Sequence, residues 1–378
     1  MKKLNEDNTD MHMKKAFIIW TPLHLYNVIS YVLSRGLAGT CDAYYICQSE
    51  GMRKYLQSIE NKRLFHHIYY TTEEKLFRNN RIWELESILI SSKPYVKHMF
   101  GEGSTGNIYE QIFMSVPTRL NDAIIRANKC GEVVGYDDGT GSYVTNLYNL
   151  SLGRKYEFIK RLMKKPGFNV KQVFLNNPDS NSHIQDGLKY EKLLERKLTK
   201  DEKELIKNAF SYDSTSSISK YIYLNQPKEG MSNPEKYKEI ERALIKTIKK
   251  ELLDEITVRI HPREKDVEEY SGFRLDLGAN MWELICSEEL TDNNVLIGTF
   301  STAQFTPKLL FNKEPWLIFT FDMFPMCYDA RKRDEMRDLV KRIKDNYSAK
   351  FKVLVISSDT ELKNAIIGLR GLSNSDML

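Results

Sequence analysis

Apolar positions in the chain alternate between two spacings. Short unbroken runs such as "AFIIW", "AYYI", "VLIG" and "WLIF" alternate with longer stretches in which apolar residues recur every three or four positions. Unbroken runs bounded by turn residues read as strands buried on both faces, and the longer period reads as amphipathic helix. "KKAFIIW" (14–20) predicts a first strand, and "LHLYNVISYVLSRGL" (23–37) predicts a helix with a glycine stop. "CDAYYICQ" and "RLFHHIYYT" read as strands, "RIWELESILISSKPY" (81–95) as one helix and "YEQIFMS" as a strand. "TRLNDAIIRANKCG" (118–131) reads as a helix ended by glycine, before the strand "EVVGYDD".

The rhythm lapses over 151–218. There "SLGRKYEFIKRLMKKPGFNVK" mixes basic, aromatic and aliphatic residues, "NNPDSNSH" is loop-like, and "YEKLLERKLTKDEKELIKNAF" (190–210) reads as a charged helix. It resumes with the strand "SKYIYLNQP", a helix from Pro234, the strand "ITVRIHP", the helix "ANMWELICSEEL" and the strand "NNVLIGTF". "STAQFTPKLLF" opens a helix, "EPWLIFTF" and "FKVLVIS" are strands, and "DTELKNAIIGLRGL" is a closing helix. Strands alternating with helices imply parallel βαβ units and doubly wound sheets. The expectation is an α/β protein, GT-B-like, with two Rossmann-like domains facing each other across a cleft. They span 14–150 and 219–378, with a connecting region at 151–218 and a last helix that packs back on the N-terminal domain. The polar residues 1–13 are expected to be a disordered tail, with Met13 as a second candidate start.

Composition narrows the class. At 378 residues the chain exceeds one ordinary core, and 28% charged residues is usual for a globular protein. A net charge of +5 is too small for a dedicated nucleic-acid binder but suits an anionic substrate or an acidic membrane surface. Five scattered cysteines with no CxxC argue against a disulfide frame or a zinc site. With no secretory signal and no apolar run of membrane-spanning length, a cytoplasmic location is expected. The basic stretch 154–173 reads either as a solvated charged face or as a peripheral contact with the inner face of the cell membrane.

Three strand ends carry the candidate chemistry. Asp137, Asp138, Gly139 and Gly141 lie in "YDDGTGSY", His261 and Pro262 follow "VRI", and Ser301 and Thr302 follow "LIGTF". Ligands of open α/β sheets bind outside the carboxyl ends of the strands. The acid pair reads as a turn, or as a general base whose glycines let another molecule approach. His261 reads as structural, or as an imidazole that neutralises or protonates a phosphate, with Pro262 fixing its backbone. Ser301 and Thr302 read as a helix cap, which is also an anion site. There is no GxGxxG, Walker loop or HExxH, and "RLDLG" is too weak to claim a metal.

Taken in order, "YDDGTGSY", "RIHPRE" and "TFSTA" resemble the acid–acid–Gly, His–Pro and paired Ser/Thr motifs of bacterial sialyltransferases of glycosyltransferase family 52. That family includes lipooligosaccharide and capsular polysaccharide enzymes. "LNQPKEGM" (224–231) and "MWELI" (281–285) extend the resemblance, which covers roughly 14–320. The chain departs from the lipooligosaccharide enzymes in lacking their hydrophobic N-terminal anchor and in its residues beyond 320. The resemblance implies Asp138 as general base and His261 as the group that assists departure of the nucleotide phosphate. It places Ser301 and Thr302 on that phosphate, Glu283 on the ribose, and Gln226 and Pro227 along the nucleotide pocket. Asp137, Gly139, Gly141 and Pro262 would support these groups.

The implied reaction is inverting transfer of N-acetylneuraminic acid from CMP-Neu5Ac to O3, or alternatively O6, of a terminal galactose. The acceptor would be a surface glycan, free or lipid-linked, and neither metal nor cofactor is expected. A homodimer is one option for assembly. Three rivals stay open. They are a GT-B enzyme using another CMP-nonulosonate or a glucosyl donor, a metal-dependent glycosyltransferase, and a non-catalytic nucleotide-binding capsule-assembly protein.

Overall fold

A computed structural model describes residues 14–47, 50–77, 80–144, 147–165, 168–181, 187–215, 217–228, 231–252, 255–264 and 266–375. The expected tail 1–13, and Glu229 and Gly230 of the "LNQPKEGM" loop, lie outside them. The chain divides into two units, Met1–Ser211 and Tyr212–Leu378.

The first unit is built on seven parallel strands: β1 (Lys15–Ile19), β2 (Asp42–Ile46), β3 (His67–Thr71), β4 (Ile108–Met114), β5 (Lys129–Tyr136), β6 (Val170–Leu175) and β7 (Lys189–Lys192). Their order is β3-β2-β1-β4-β5-β6-β7. β2 is buried at every position because a parallel sheet is covered on both faces, which is why its sequence after the paired Asp42 is an unbroken apolar run. Phe17 and Phe113 stack at 4.5 Å on neighbouring strands, and Tyr31 of helix Pro22–Ser34 packs edge-on against Phe17.

The second unit has six parallel strands: β8 (Tyr221–Leu224), β9 (Ile256–Arg259), β10 (Arg274–Asp276), β11 (Val295–Gly298), β12 (Trp316–Phe319) and β13 (Val353–Val355). Their order is β10-β9-β8-β11-β12-β13. Both sheets therefore follow the 3-2-1-4-5-6 order of a Rossmann fold, the first with one extra strand. The chain is thus an α/β protein with two Rossmann-like units. Each order reverses at a switch point, between β1 and β4 in the first sheet and between β8 and β11 in the second.

Several elements differ from expectation. The span 151–211, read mostly as a connector, belongs to the first unit and supplies β6 and β7. β7 is the edge strand and β6 its neighbour, and both carry charged or polar positions, so they lack the unbroken apolar signature. The stretch 81–95 is two helices, Arg81–Leu89 and Lys93–Phe100, because Pro94 fits a first helical turn but not an interior. Residues 129–131 are strand, not helix end. A Cβ at Gly131 would lie 2.8 Å from the Glu110 carbonyl oxygen, so this glycine permits close approach of β4. Within 190–210 only Lys200–Ala209 is helical, starting at the Thr199–Glu202 capping box. Strand β10 and helix Ala330–Asp345 are additional. The closing helix, Asp359–Ser375, packs on helix Pro234–Leu252 of its own unit. No helix among the described residues is long and apolar enough to cross a membrane.

Candidate functional site

In the first unit the residues of interest collect at the carboxyl ends of β1, β4 and β5. The adjacent acids of "YDDG" have different environments. Asp137 is 1% exposed. It accepts hydrogen bonds from Gly139 N (2.8 Å), Tyr143 OH (2.5 Å), Asn176 N (2.9 Å) and Asn176 Nδ2 (2.9 Å). Burial pushes its carboxyl pKa up, and these donors pull it back. Its own carbonyl accepts from Asn27 Nδ2 at 3.1 Å. Asp137 thus ties the turn to helix Pro22–Ser34 and to the end of β6. Gly139 turns the chain at φ +92°, a conformation that costs glycine little.

Asp138 keeps a quarter of its side chain in solvent. Its backbone N–H donates to Ser142 Oγ at 2.8 Å, and its Oδ1 lies 2.7 Å from His24 Nε2. His24 is buried, and its Nδ1 accepts from the Trp20 backbone N–H at 3.3 Å with Ser115 Oγ at 3.4 Å. An accepting Nδ1 places the proton on Nε2, so the imidazole donates to the carboxylate. His24 is thus a positioning group: both ring nitrogens are engaged. Asp138 Oδ2 takes no hydrogen bond among the described residues. A Cβ at Gly141 would come within 3.2 Å of it, so that glycine keeps the oxygen accessible. His24 was not singled out from the sequence. Its signal is a lone imidazole three residues after Thr21, the cap of a helix buried almost all round.

In the second unit, parallel pairing puts the ends of β9, β8 and β11 side by side on one edge, about 5 Å apart. These ends carry His261, Gln226 with Pro227, and Ser301 with Thr302. His261 N–H donates to Asn225 Oδ1 at 2.9 Å, and its Nδ1 accepts from Arg263 N at 3.1 Å. The Nε2 therefore carries the proton in the neutral ring. Burial, and then the Arg263 charge, lower its pKa to about 4. This disfavours the protonated ring, and the neutral ring presents its Nε2–H as a donor. Pro262 is exposed, Pro227 is buried, and Gln226 is half-buried.

Ser301 caps helix Thr302–Phe311. Its Oγ accepts from Ala303 N at 3.3 Å, while Gln304 Oε1 accepts from Ser301 N at 3.1 Å. A Cβ at Gly298 would meet both Gln304 Oε1 and the Leu224 carbonyl oxygen at 3.1 Å, so glycine eases this close junction. Glu283 sits in the first turn of helix Trp282–Glu288 and is buried, which raises its pKa, while the Arg259 charge lowers it. Trp282 Nε1 donates to the Ala303 carbonyl at 2.8 Å and brings that helix start beside Ser301 and Thr302. The second-unit residues expected from the sequence are therefore neighbours on one edge.

Beneath them lies a network that the sequence reading missed. Asn225 Nδ2 donates to Tyr270 OH at 2.7 Å, and the hydroxyls of Tyr270 and Tyr223 each donate to Glu241 Oε1 at 2.9 Å. Glu241 is wholly buried, with Lys228 Nζ 4.0 Å from its Oε2. Burial raises its pKa to about 7. The backbone of His261 thus hangs from Asn225, and Asn225 from a buried acid. Among the described residues no cluster of His, Cys, Asp and Glu has metal-binding geometry.

No family model and no curated protein matches the chain. Solved structures similar to it include MurG of Acinetobacter baumannii, at 9% identity and TM-score 0.41, over 94% of this chain and 90% of that one. A UDP-glucosyltransferase from Polygonum tinctorium is 11% identical at TM-score 0.41, over 81% of this chain and 79% of its own. LpCGTa in complex with UDP is 7% identical at TM-score 0.40, over 94% of each. Likeness at this level assigns no activity, and the fold class rests on the two sheet orders themselves.

Proposed function

We propose that the protein is an inverting glycosyltransferase of GT-B type that moves N-acetylneuraminic acid from CMP-Neu5Ac to a hydroxyl of a terminal galactose, O3 before O6. The observation that carries this reading is Asp138: a carboxylate at a strand end, held at one oxygen by His24 Nε2 at 2.7 Å, with its other oxygen open to a substrate. Asp138 takes the acceptor hydroxyl proton as the new glycosidic bond forms. The bond from the anomeric carbon to the phosphate oxygen breaks, and CMP leaves with the bonding pair. His261 Nε2–H and the amides at the start of helix Thr302–Phe311 stabilise the charge growing on that phosphate. An anion beside His261 favours its protonated form, so the ring becomes a better acid as CMP departs. Glu283 would hold the ribose hydroxyls, and Gln226 and Pro227 would line the cytidine pocket. With an imidazole and helix amides at the phosphate, the reaction requires neither a divalent metal nor a cofactor. The partners are the nucleotide-sugar and a galactose-terminated glycan of a capsule or lipooligosaccharide, either free or lipid-linked.

The decisive experiment offers CMP-Neu5Ac and, separately, UDP-sugars with a galactose-terminated oligosaccharide in the presence of EDTA, and reads the product linkage by NMR. The expected result is a sialylated product from the CMP donor alone, abolished in Asp138→Asn. A product from a UDP-sugar, or a requirement for added metal, refutes the reading. CMP binding without turnover favours a non-catalytic role.

A further inference from the structure

In the first unit, helices Arg81–Leu89 and Arg154–Leu162 pack side by side. Arg119 ties them together, donating to Glu84 Oε2 at 2.7 Å and to the Leu152 carbonyl at 3.1 Å. Arg126 reaches Tyr156 OH at 3.2 Å from the same side. The inner face of the second helix is held by polar anchors: Tyr156 OH donates to Asp122 Oδ2 at 2.8 Å, and Lys160 Nζ pairs with Asp122 Oδ1 at 2.5 Å.

The outer face does not look like an ordinary solvated surface. Of the fifteen large apolar side chains exposed among the described residues, eight lie on these two helices and the turns beside them. Ile82, Ile90, Phe158 and Leu162 are each at least 66% exposed. Scattered single apolar residues are normal, but a concentration of this kind marks an interaction surface. At 100° per residue, Arg154, Lys155, Phe158, Arg161 and Leu162 fall within about 120° of helix arc, so cations and large apolar groups share one face. Residues 154–165 contain six basic residues and one acid, Glu157, whose carboxylate accepts from Leu152 N.

A cavity of about 590 Å³ adjoins this face, lined among others by Tyr148, Leu150, Arg154, Phe158, Arg161 and Phe168. Its guanidinium and aromatic lining matches a phosphate headgroup on an apolar stem. A second copy of the chain fits poorly, because an isologous contact would set this cationic face against itself.

We infer that this two-helix face docks on an anionic phospholipid bilayer. Phe158, Leu162, Ile82 and Ile90 enter the interfacial region while Arg154, Lys155 and Arg161 meet lipid phosphates. Docking would present the first unit to a lipid-linked acceptor; in that respect it deepens the proposed reading, but the test below uses no donor, so the two can fail separately.

The test is sedimentation of the full chain with vesicles of phosphatidylcholine, with and without phosphatidylglycerol. Binding is expected with the anionic vesicles alone, weakening as salt rises. It should fall at least tenfold in Phe158→Glu/Leu162→Glu and in Arg154→Glu/Arg161→Glu. Melting temperature, and transfer to a soluble acceptor where transfer is detected, should stay unchanged in both variants. Absence of binding, equal binding to neutral vesicles, or full binding by either variant overturns the inference. So does a stable dimer, or a complex with an acidic protein that survives vesicle addition, if the same substitutions abolish it.

Discussion

The adjacent acids offer the sharpest test, because the same side-chain chemistry should give opposite phenotypes one residue apart. Asp137→Ala deletes the acceptor of four hydrogen bonds, from Gly139 N, Tyr143 OH and both nitrogens of Asn176. A buried donor left unmet costs about 1–3 kcal/mol. Relief of the cost of burying the carboxylate offsets part of the sum, and water entering the vacated space satisfies some donors. A net loss of about 3–5 kcal/mol follows, as for other broken buried polar networks. In a unit of this size that lowers the melting temperature of its transition by roughly 6–20 °C. Asp138→Asn changes little structurally: the side chain is partly exposed, and the amide oxygen can still accept from His24 Nε2. Its cost should stay within about 1 kcal/mol, while loss of the base should slow transfer by about 10²–10⁴-fold. Thermal unfolding and turnover of CMP-Neu5Ac, measured on both variants, decide the matter. A stable Asp137→Ala protein would refute the tethering role, and an Asp138→Asn protein within tenfold of the parent rate would place the base elsewhere.

His24→Ala should lower kcat by about 10–100-fold with donor KM unchanged, and His24→Gln, which can still donate to Asp138, should recover part of it; equal loss in both would argue against positioning. In NMR titration His261 should show a pKa of about 4 in the free protein, rising by at least about one unit with CMP bound. A value unmoved by CMP would remove this residue from the phosphate site. Glu241, raised from 4.5 to about 7, contributes stability that is fully present below its unfolded pKa and is lost as pH rises through 7. That amounts to about 3 kcal/mol. Glu241→Gln should therefore flatten this part of the stability–pH curve between 4.5 and 7, and identical slopes in denaturant titrations of the two proteins would contradict it.

The fold was legible where strands are buried on both faces, because β1, β2, β11 and β12 are apolar over nearly their whole length. It was not legible at two of the four sheet edges, β7 and β10. β7 reads "KYEK" and β10 reads "RLD", since one side of each meets solvent and the pairing partner, not the side chains, makes them strands. Gly131 misled for a related reason: a glycine that lets two strands approach looks, in sequence, like one that ends a helix.

The site divides along the same line. Strand-end residues were readable because a carboxylate, an imidazole or a hydroxyl pair after an apolar run has few uses outside turns, caps and binding. The groups that orient them come from distant parts of the chain. His24 reaches Asp138 across 114 positions, and Tyr270 reaches Asn225 across 45. Each belongs to a helix or turn where it satisfies local geometry equally well, so no local pattern distinguishes it. What joins them is the switch point: His24 and Ser115 follow the paired strands β1 and β4, where the strand order reverses, as Asn225 and Ser301 follow β8 and β11. Two sheets of the same winding thus gather their polar clusters at equivalent places. A strand order deduced from sequence would have directed attention to the residues just after the first and fourth strands of each unit, where His24 and Asn225 lie.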